Sequence, residues 1–168
     1  MAPVAVFVGV MGAGKTTIGK AVAAELGVAF ADTDAIIEER AGKPIPEIFV
    51  DDGEAAFRAL EREVVASSLE TFGGILALGG GAILDEGTRK ILTAHTVVFL
   101  SVELSDAIKR VGLGAGRPLL AMNPRATLKY LLDQRRPLYL EVATHTLATD
   151  GRDEQDVTAE VVALLRGV

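Results

Sequence analysis

The chain has 168 residues, a length that suits one domain, and 49% of them are apolar while only 5% are aromatic. Its net charge of -6 argues against general binding to nucleic acid or to an anionic membrane, and the absence of Cys excludes disulfides, thiolate catalysis and Cys-based metal sites. The chain begins without a basic leader, and its apolar segment 4–10 is too short to cross a bilayer. We therefore expect a cytoplasmic protein with no nucleic-acid or membrane partner.

Apolar segments of strand length alternate with amphipathic segments of helix length along the chain. In chain order, the predicted strands are residues 4–8, 28–31, 75–78, 96–102 and, from a weaker pattern, 146–148. The predicted helices are residues 15–26, 34–41, 54–69, 87–92, 105–111, 124–134 and 156–165. Strands that are apolar throughout and separated by helices are typical of a parallel sheet covered on both faces. The sequence thus predicts a three-layer α/β/α fold.

Residues 9–16, between the first strand and the first helix, read Gly-Val-Met-Gly-Ala-Gly-Lys-Thr and fit the phosphate-loop pattern G-x-x-x-x-G-K-[ST]. In such a loop the backbone N–H groups surround the phosphates, Lys15 reaches the β and γ phosphates, and Thr16 offers a hydroxyl to Mg²⁺. The positive end of the next helix dipole points at the same anion. The flanking strand and helix favour this interpretation over a plain glycine-rich turn.

Two acids, Asp32 and Asp34, follow the second predicted strand at the carboxyl edge of the sheet, where ligands bind in α/β proteins. Residues two apart on an extended backbone face the same side, so both carboxylates are expected in one crevice. One would face Mg²⁺ and its water shell, and the other an acceptor hydroxyl. The alternative is that either acid caps the helix that follows.

Two further patterns follow along the chain. Arg58 and Glu61 are three apart on a predicted helix, where they can pair and hold the guanidinium in one pose, although such a pair is also ordinary on a helix surface. Gly79, Gly80 and Gly81 directly follow a strand. Three glycines cost backbone entropy, and close approach of the main chain to a ligand explains them, with a flexible connector as the alternative.

Residues 112–124 contain three glycines and two prolines, which predicts a long loop. In a phosphoryl-transfer enzyme such a loop serves as a lid that excludes water. The wider segment 107–137 holds seven Lys and Arg residues and one acid. These cations either form a solvated face or meet phosphates and an anionic substrate, for which Arg is better suited than Lys. Arg117, inside the predicted lid, is placed to reach the γ phosphate on closure.

These patterns occur in the order and approximate spacing of the shikimate kinase family, which the chain resembles over residues 4–149. The resemblance is carried by the phosphate loop, Asp32-Thr33-Asp34, Phe57-Arg58 with Glu61, the glycine triplet, Arg117-Pro118-Leu119-Leu120 and Arg135-Arg136-Pro137-Leu138-Tyr139. It implies a P-loop kinase of the nucleoside monophosphate kinase type, which uses ATP to phosphorylate the 3-hydroxyl of shikimate in chorismate and aromatic amino-acid biosynthesis. It also implies a five-stranded sheet of order 2-3-1-4-5 in a single domain over residues 1–168, with a substrate-binding subdomain at 33–61 and a mobile lid at 112–124.

The resemblance also implies roles for individual residues. ATP would contact Gly12, Ala13, Gly14, Lys15, Thr16, Thr17, Arg110, which packs on the adenine, and Arg117, the lid arginine. Shikimate would contact Asp34, Arg58, Gly79, Gly80, Gly81 and Arg136. Thr16 and Asp32 would hold Mg²⁺, and the catalytic residues would be Lys15, Asp34 and Arg117.

One departure concerns the late adenine loop, where Asp153 stands at the position of a basic residue often found in the family, with Arg152 beside it. Two other functions stay open from the sequence. One is a different small-molecule kinase, of the gluconate or nucleotide type, because a fold does not determine the acceptor. The other is a regulatory ATP-binding module without metabolic chemistry. ATP, shikimate and Mg²⁺ are the expected ligands, and a monomer is the expected state.

Overall fold

The computed structural model describes residues 1–111 and 124–167, and for residues 110, 111 and 124 it describes the backbone. Five strands form one parallel sheet in the order β2-β3-β1-β4-β5. They are β1 (Ala5–Val8), β2 (Phe30–Asp32), β3 (Ile75–Ala77), β4 (Val97–Ser101) and β5 (His145–Ala148). The parallel sheet predicted from the apolar runs is confirmed, and so is the strand order that the family resemblance implies.

The burial of the strands explains their sequence pattern. Every residue of β1, β3 and β4 is buried, because these strands lie inside the sheet and helices cover it. The edge strand β5 mixes buried, intermediate and exposed residues, which is why its apolar pattern is the weakest of the five.

Eight helices surround the sheet in the described ranges. They are α1 (Lys15–Leu26), α2 (Thr33–Ala41), α3 (Ile45–Asp52), α4 (Glu54–Thr71), α5 (Glu86–Leu92), α6 (Leu104–Val111), α7 (Pro124–Val142) and α8 (Glu154–Leu165), and a short 3₁₀ helix covers Ala82–Leu84. All seven predicted helices are present, most with small shifts at their ends. None of these helices combines the length and apolarity that crossing a membrane requires.

Two helix predictions were wrong. The sequence did not predict α3, because Pro44 and Pro46 resemble helix breakers, but both lie at its N-terminus, where a missing N–H costs little. The prediction that the helix after residue 124 ends at 134 is also wrong, since α7 runs through Pro137. Beyond that proline, Tyr139 and Val142 are buried in the core, and this packing offsets the lost backbone hydrogen bond.

The segments that follow β1, β2 and β3 meet at the carboxyl edge of the sheet. There, α2, α3 and α4 enclose a small apolar cluster of their own, formed by Ile37, Ile48, Phe57 and Val64. This cluster sets the position of the first turns of α4. The predicted lid at 112–124 lies outside the described residues, apart from Pro124, where α7 begins.

Candidate active site

The phosphate loop connects the carboxyl end of β1 to α1. Gly12 and Gly14 have φ angles of 84° and 95°, which residues with a Cβ rarely adopt, so glycine allows the loop to curl. The ammonium group of Lys15 donates hydrogen bonds to the backbone carbonyls of Gly9 (2.5 Å) and Val10 (3.2 Å). All six loop residues predicted to contact phosphate line a cavity of about 870 Å³.

Thr16 and Asp32 lie side by side at the edge of this loop. The hydroxyl of Thr16 donates to Oδ2 of Asp32 over 3.3 Å. The other carboxylate oxygen, Oδ1, accepts a hydrogen bond from the backbone N–H of Asp34 over 2.8 Å and so caps α2. Asp32 therefore caps the helix, as the alternative interpretation predicted, and still presents an oxygen to Thr16. A hydroxyl and a carboxylate oxygen are the hard ligands that Mg²⁺ accepts.

The glycine triplet after β3 packs against two charged side chains of the cavity, one acidic and one basic. A Cβ on Gly79 would collide with Oδ1 of Asp34, and a Cβ on Gly81 would lie 2.6 Å from Nη1 of Arg58. Glycine is needed at both positions because these side chains come so close to the main chain. Asp34, Arg58 and the three glycines line the same cavity as the phosphate loop.

Arg58, on α4, is held in one pose by its neighbours. Its Nη1 donates to Oε1 of Glu61 over 2.8 Å, and the guanidinium lies 5.1 Å from the centroid of the Phe57 ring. Glu61 is only 4% exposed. Burial raises the pKa of the Glu61 carboxyl, and the hydrogen bond from Arg58 opposes this rise. The pair is therefore a shielded one, and not the ordinary surface pair that the spacing also allowed.

Phe49 and Phe57 form an apolar wall in the cavity. Their ring centroids are 4.8 Å apart, and Pro46 extends the wall. Phe49 and Pro46 belong to α3, so the sequence analysis missed them. The available signal was the helical spacing of Ile45, Ile48 and Phe49. Charged groups beside an apolar surface are typical of sites for small molecules.

A second arginine enters the cavity from α7, and it is Arg135, not the predicted Arg136. Arg135 is 3% exposed, and its Nη1 lies 3.3 Å from the position that a Cβ on Gly80 would take. Within the described part of the chain, its Nε has no hydrogen-bond partner. Arg136 donates to the hydroxyl of Ser101 over 3.0 Å and does not line this cavity. The structure thus does not bring Arg136 together with the other predicted acceptor residues.

Arg152 lines another part of the cavity, after β5. It donates to the carbonyl of Ala148 over 3.2 Å and forms ion pairs with Asp156 and Glu160. Asp153, where the sequence departs from the family pattern, caps α8 by accepting a hydrogen bond from a backbone N–H of the first turn over 2.9 Å. In this loop, therefore, the cation that reaches the cavity is Arg152.

Two predicted ATP contacts involve side chains that the structure does not describe. Arg110 lies on α6, but only its backbone is described. Arg117 lies outside the described residues. Their roles stay predictions.

Comparison with known proteins identifies the family of the chain. A model of the shikimate kinase family matches residues 11–166. The chain is 66% identical to a shikimate kinase of Salinispora arenicola over 165 residues, which cover 98% of this chain and 99% of that protein. It is 57% identical to one of Thermobifida fusca over 161 residues, which cover 96% and 93%. The solved structure of a shikimate kinase from Acinetobacter baumannii in complex with shikimate is similar with a TM-score of 0.93 at 37% identity, covering 99% of this chain and 94% of that one.

Proposed function

This chain belongs to the shikimate kinase family, and we propose that it transfers the γ-phosphoryl group of ATP to the 3-hydroxyl of shikimate. The products are shikimate 3-phosphate and ADP. The observation that carries the proposal is that the phosphate loop lines one cavity together with Asp34, Arg58 and Arg135. One cavity therefore offers complementary charges to a triphosphate and, beside it, to a small polyhydroxylated acid.

At the donor end, the N–H groups of the phosphate loop and the ammonium of Lys15 bind the phosphates, supported by the dipole of α1. Thr16 and Asp32 would hold Mg²⁺ directly or through water, since their side-chain oxygens lie 3.3 Å apart and Mg²⁺ keeps several of its waters. When bound, the ion neutralises charge on the β and γ phosphates. From the resemblance to the family, we further propose that Arg110 contacts the adenine.

At the acceptor end, Arg58 and Arg135 bind the carboxylate of shikimate through charge-assisted hydrogen bonds. Two features support this assignment: both cations line the cavity beside the glycine triplet, and Arg135 keeps an Nε with no partner in the described structure. Gly80 and Gly81 offer backbone N–H groups, and Asp34 accepts a hydrogen bond from the reacting hydroxyl. Arg136 has no part in this arrangement because it is bonded to Ser101.

The reaction forms a bond between the 3-oxygen of shikimate and the γ phosphorus, and it breaks the bond from that phosphorus to the β–γ bridging oxygen. Because the transition state of phosphoryl transfer is loose in most analyses, positioning and charge stabilisation supply most of the catalysis. Lys15 stabilises the negative charge on the transferred group, and from the family resemblance we propose the same role for Arg117, which lies outside the described residues. Asp34 orients the acceptor hydroxyl and takes up its proton.

A coupled assay of ADP release with the full chain, ATP and Mg²⁺ tests the proposal, with parallel reactions that contain shikimate, gluconate, AMP or no acceptor. We expect release that depends on shikimate, with shikimate 3-phosphate detected by ³¹P NMR, and its loss when Mg²⁺ is chelated. Release that depends on gluconate or AMP instead would identify another small-molecule kinase. Hydrolysis without phosphorylation of any acceptor would identify a regulatory module. Either result overturns the proposal.

The proposal includes a monomer that acts in the cytoplasm without nucleic-acid or membrane partners. The net charge of -6 and the scarcity of aromatic residues support the absence of nucleic-acid binding. The groups that bind donor and acceptor come from one chain, so the site needs no second copy. Light scattering after size-exclusion chromatography is expected to give the mass of a single chain, and a stable dimer would contradict this part.

A further inference from the structure

Two buried side chains from different helices, α2 and α7, form hydrogen bonds with the backbone of the glycine triplet. The hydroxyl of Thr33, the first residue of α2, accepts a hydrogen bond from the N–H of Gly79 over 3.1 Å. The hydroxyl of Tyr139, on α7, donates to the carbonyl of Gly80 over 2.5 Å. Thr33 is 0% exposed and Tyr139 is 1% exposed, so water does not compete for either hydrogen bond.

The Tyr139 side chain is itself rigidly placed. Its ring packs against Phe99 of β4 with centroids 5.0 Å apart. Burial raises the pKa of the Tyr139 phenol, so the hydroxyl stays protonated and remains a donor. The same hydroxyl interacts with the guanidinium of Arg135, one helical turn earlier on α7. Tyr139 therefore connects Arg135 to the glycine backbone.

The triplet is the point where the acceptor groups meet. Gly79 lies against the Asp34 carboxylate, Gly81 lies against the Arg58 guanidinium, and Gly80 lies near that of Arg135. In the described ranges, the N–H groups of Gly80 and Gly81 donate to no protein acceptor. A shift of this backbone would move two ligand-binding donors and change the packing of three charged side chains at once.

We propose that Thr33 and Tyr139 are positioning residues that clamp the triplet, so that its N–H groups, Asp34, Arg58 and Arg135 keep the geometry that binds the acceptor. This inference rests on the proposed function of the cavity. Neither residue lines the cavity. In the described ranges neither hydroxyl is bonded to the phosphate loop, so we expect loss of the clamp to act mainly on acceptor binding.

The test is steady-state kinetics of the full chain with Tyr139→Phe, which removes one hydroxyl and keeps the ring. A lost hydrogen bond of this kind is expected to raise the KM for shikimate by about three- to tenfold, while the KM for ATP changes by less than about twofold. The matched control is Tyr130→Phe, the same substitution at a 62% exposed position on the same helix, which is expected to change neither constant.

Thr33→Val removes the other hydroxyl and gives a second, independent measurement. We again expect the KM for shikimate to rise while the KM for ATP changes little. An unchanged KM for shikimate in both variants overturns the proposal. Equal changes in the two KM values, which a general loss of structure would produce, also overturn it. Failure of the wild-type chain to phosphorylate shikimate would contradict the proposed function instead, so the two failures are distinguishable.

Discussion

Arg135 and Arg136 are adjacent in the chain, yet α7 directs them to different environments. Arg135 is 3% exposed and lines the cavity, whereas the side chain of Arg136 is 46% exposed and contacts Ser101 and Glu103. Successive residues on a helix point about 100° apart, so two neighbours rarely serve the same site. This difference supports our proposal that Arg135, and not Arg136, binds the carboxylate of the acceptor.

Arg135→Lys is expected to raise the KM for shikimate by about ten- to a hundredfold, because Lys keeps the charge but loses the bidentate geometry. Arg136→Lys, the matched control, is expected to change it by less than about twofold, since the side chain of Arg136 is 46% exposed and does not line the cavity. Initial rates at varied shikimate and saturating ATP measure both. A larger effect at Arg136 would reverse the assignment.

Asp34→Asn keeps the size of the side chain and removes its ability to take up a proton. We expect turnover to fall by about 10²- to 10⁴-fold while the affinity for a non-hydrolysable ATP analogue stays within about twofold. Single-turnover kinetics and calorimetry measure the two quantities. Asp51→Asn, at a carboxylate that is 55% exposed, is the control and is expected to retain full activity. Near-normal turnover in Asp34→Asn would remove this residue from the mechanism.

Gly79→Ala tests the close approach of main chain and carboxylate. The added Cβ collides with Oδ1 of Asp34, so the carboxylate must move, and a displacement of about 1 Å can cost about 10²-fold in rate. We expect kcat/KM for shikimate to fall by at least about tenfold with the fold retained in circular dichroism. Gly87→Ala, at an exposed position in α5, is expected to leave activity unchanged. Full activity in Gly79→Ala would show that catalysis does not depend on the observed placement of the Asp34 carboxylate.

Glu61 gives a pH-dependent prediction for stability. Burial raises the pKa of its carboxyl above the usual 4.5, so the folded chain holds this proton to a higher pH than the unfolded chain does. The contribution of Glu61 to stability is therefore full below the unfolded pKa and is lost as the pH rises through the folded pKa. In Glu61→Gln the side chain is neutral at every pH, so the free energy of unfolding of the wild type relative to this variant is expected to fall as the pH rises above the unfolded pKa and through the folded pKa of Glu61.

Urea denaturation at several pH values measures this difference. Glu63→Gln, at an exposed position on the same helix, serves as the control and is expected to show a much smaller pH-dependent difference from the wild type. A difference between wild type and Glu61→Gln that stays constant with pH would contradict the raised pKa.

Several features were readable from the sequence because neighbouring residues encode them. The phosphate loop is one contiguous segment whose glycines, Lys15 and Thr16 carry its chemistry. The apolar runs predicted a parallel sheet, since a strand buried on both faces has no polar side to alternate with. That sheet in turn placed Asp32, Asp34 and the glycine triplet at one edge. Fold class, donor site and general reaction type follow from patterns of this kind.

Other features depended on contacts between distant parts of the chain. Thr33 and Gly79 are 46 positions apart, and Tyr139 and Gly80 are 59 apart, so no local spacing reveals their hydrogen bonds. The rotation of α7 about its axis determines whether Arg135 enters the cavity, and tertiary packing sets that rotation. The same packing allows α7 to continue past its proline. Local chemistry is encoded by side-chain type, whereas the geometry that joins donor and acceptor sites arises when tertiary packing selects one orientation for each element.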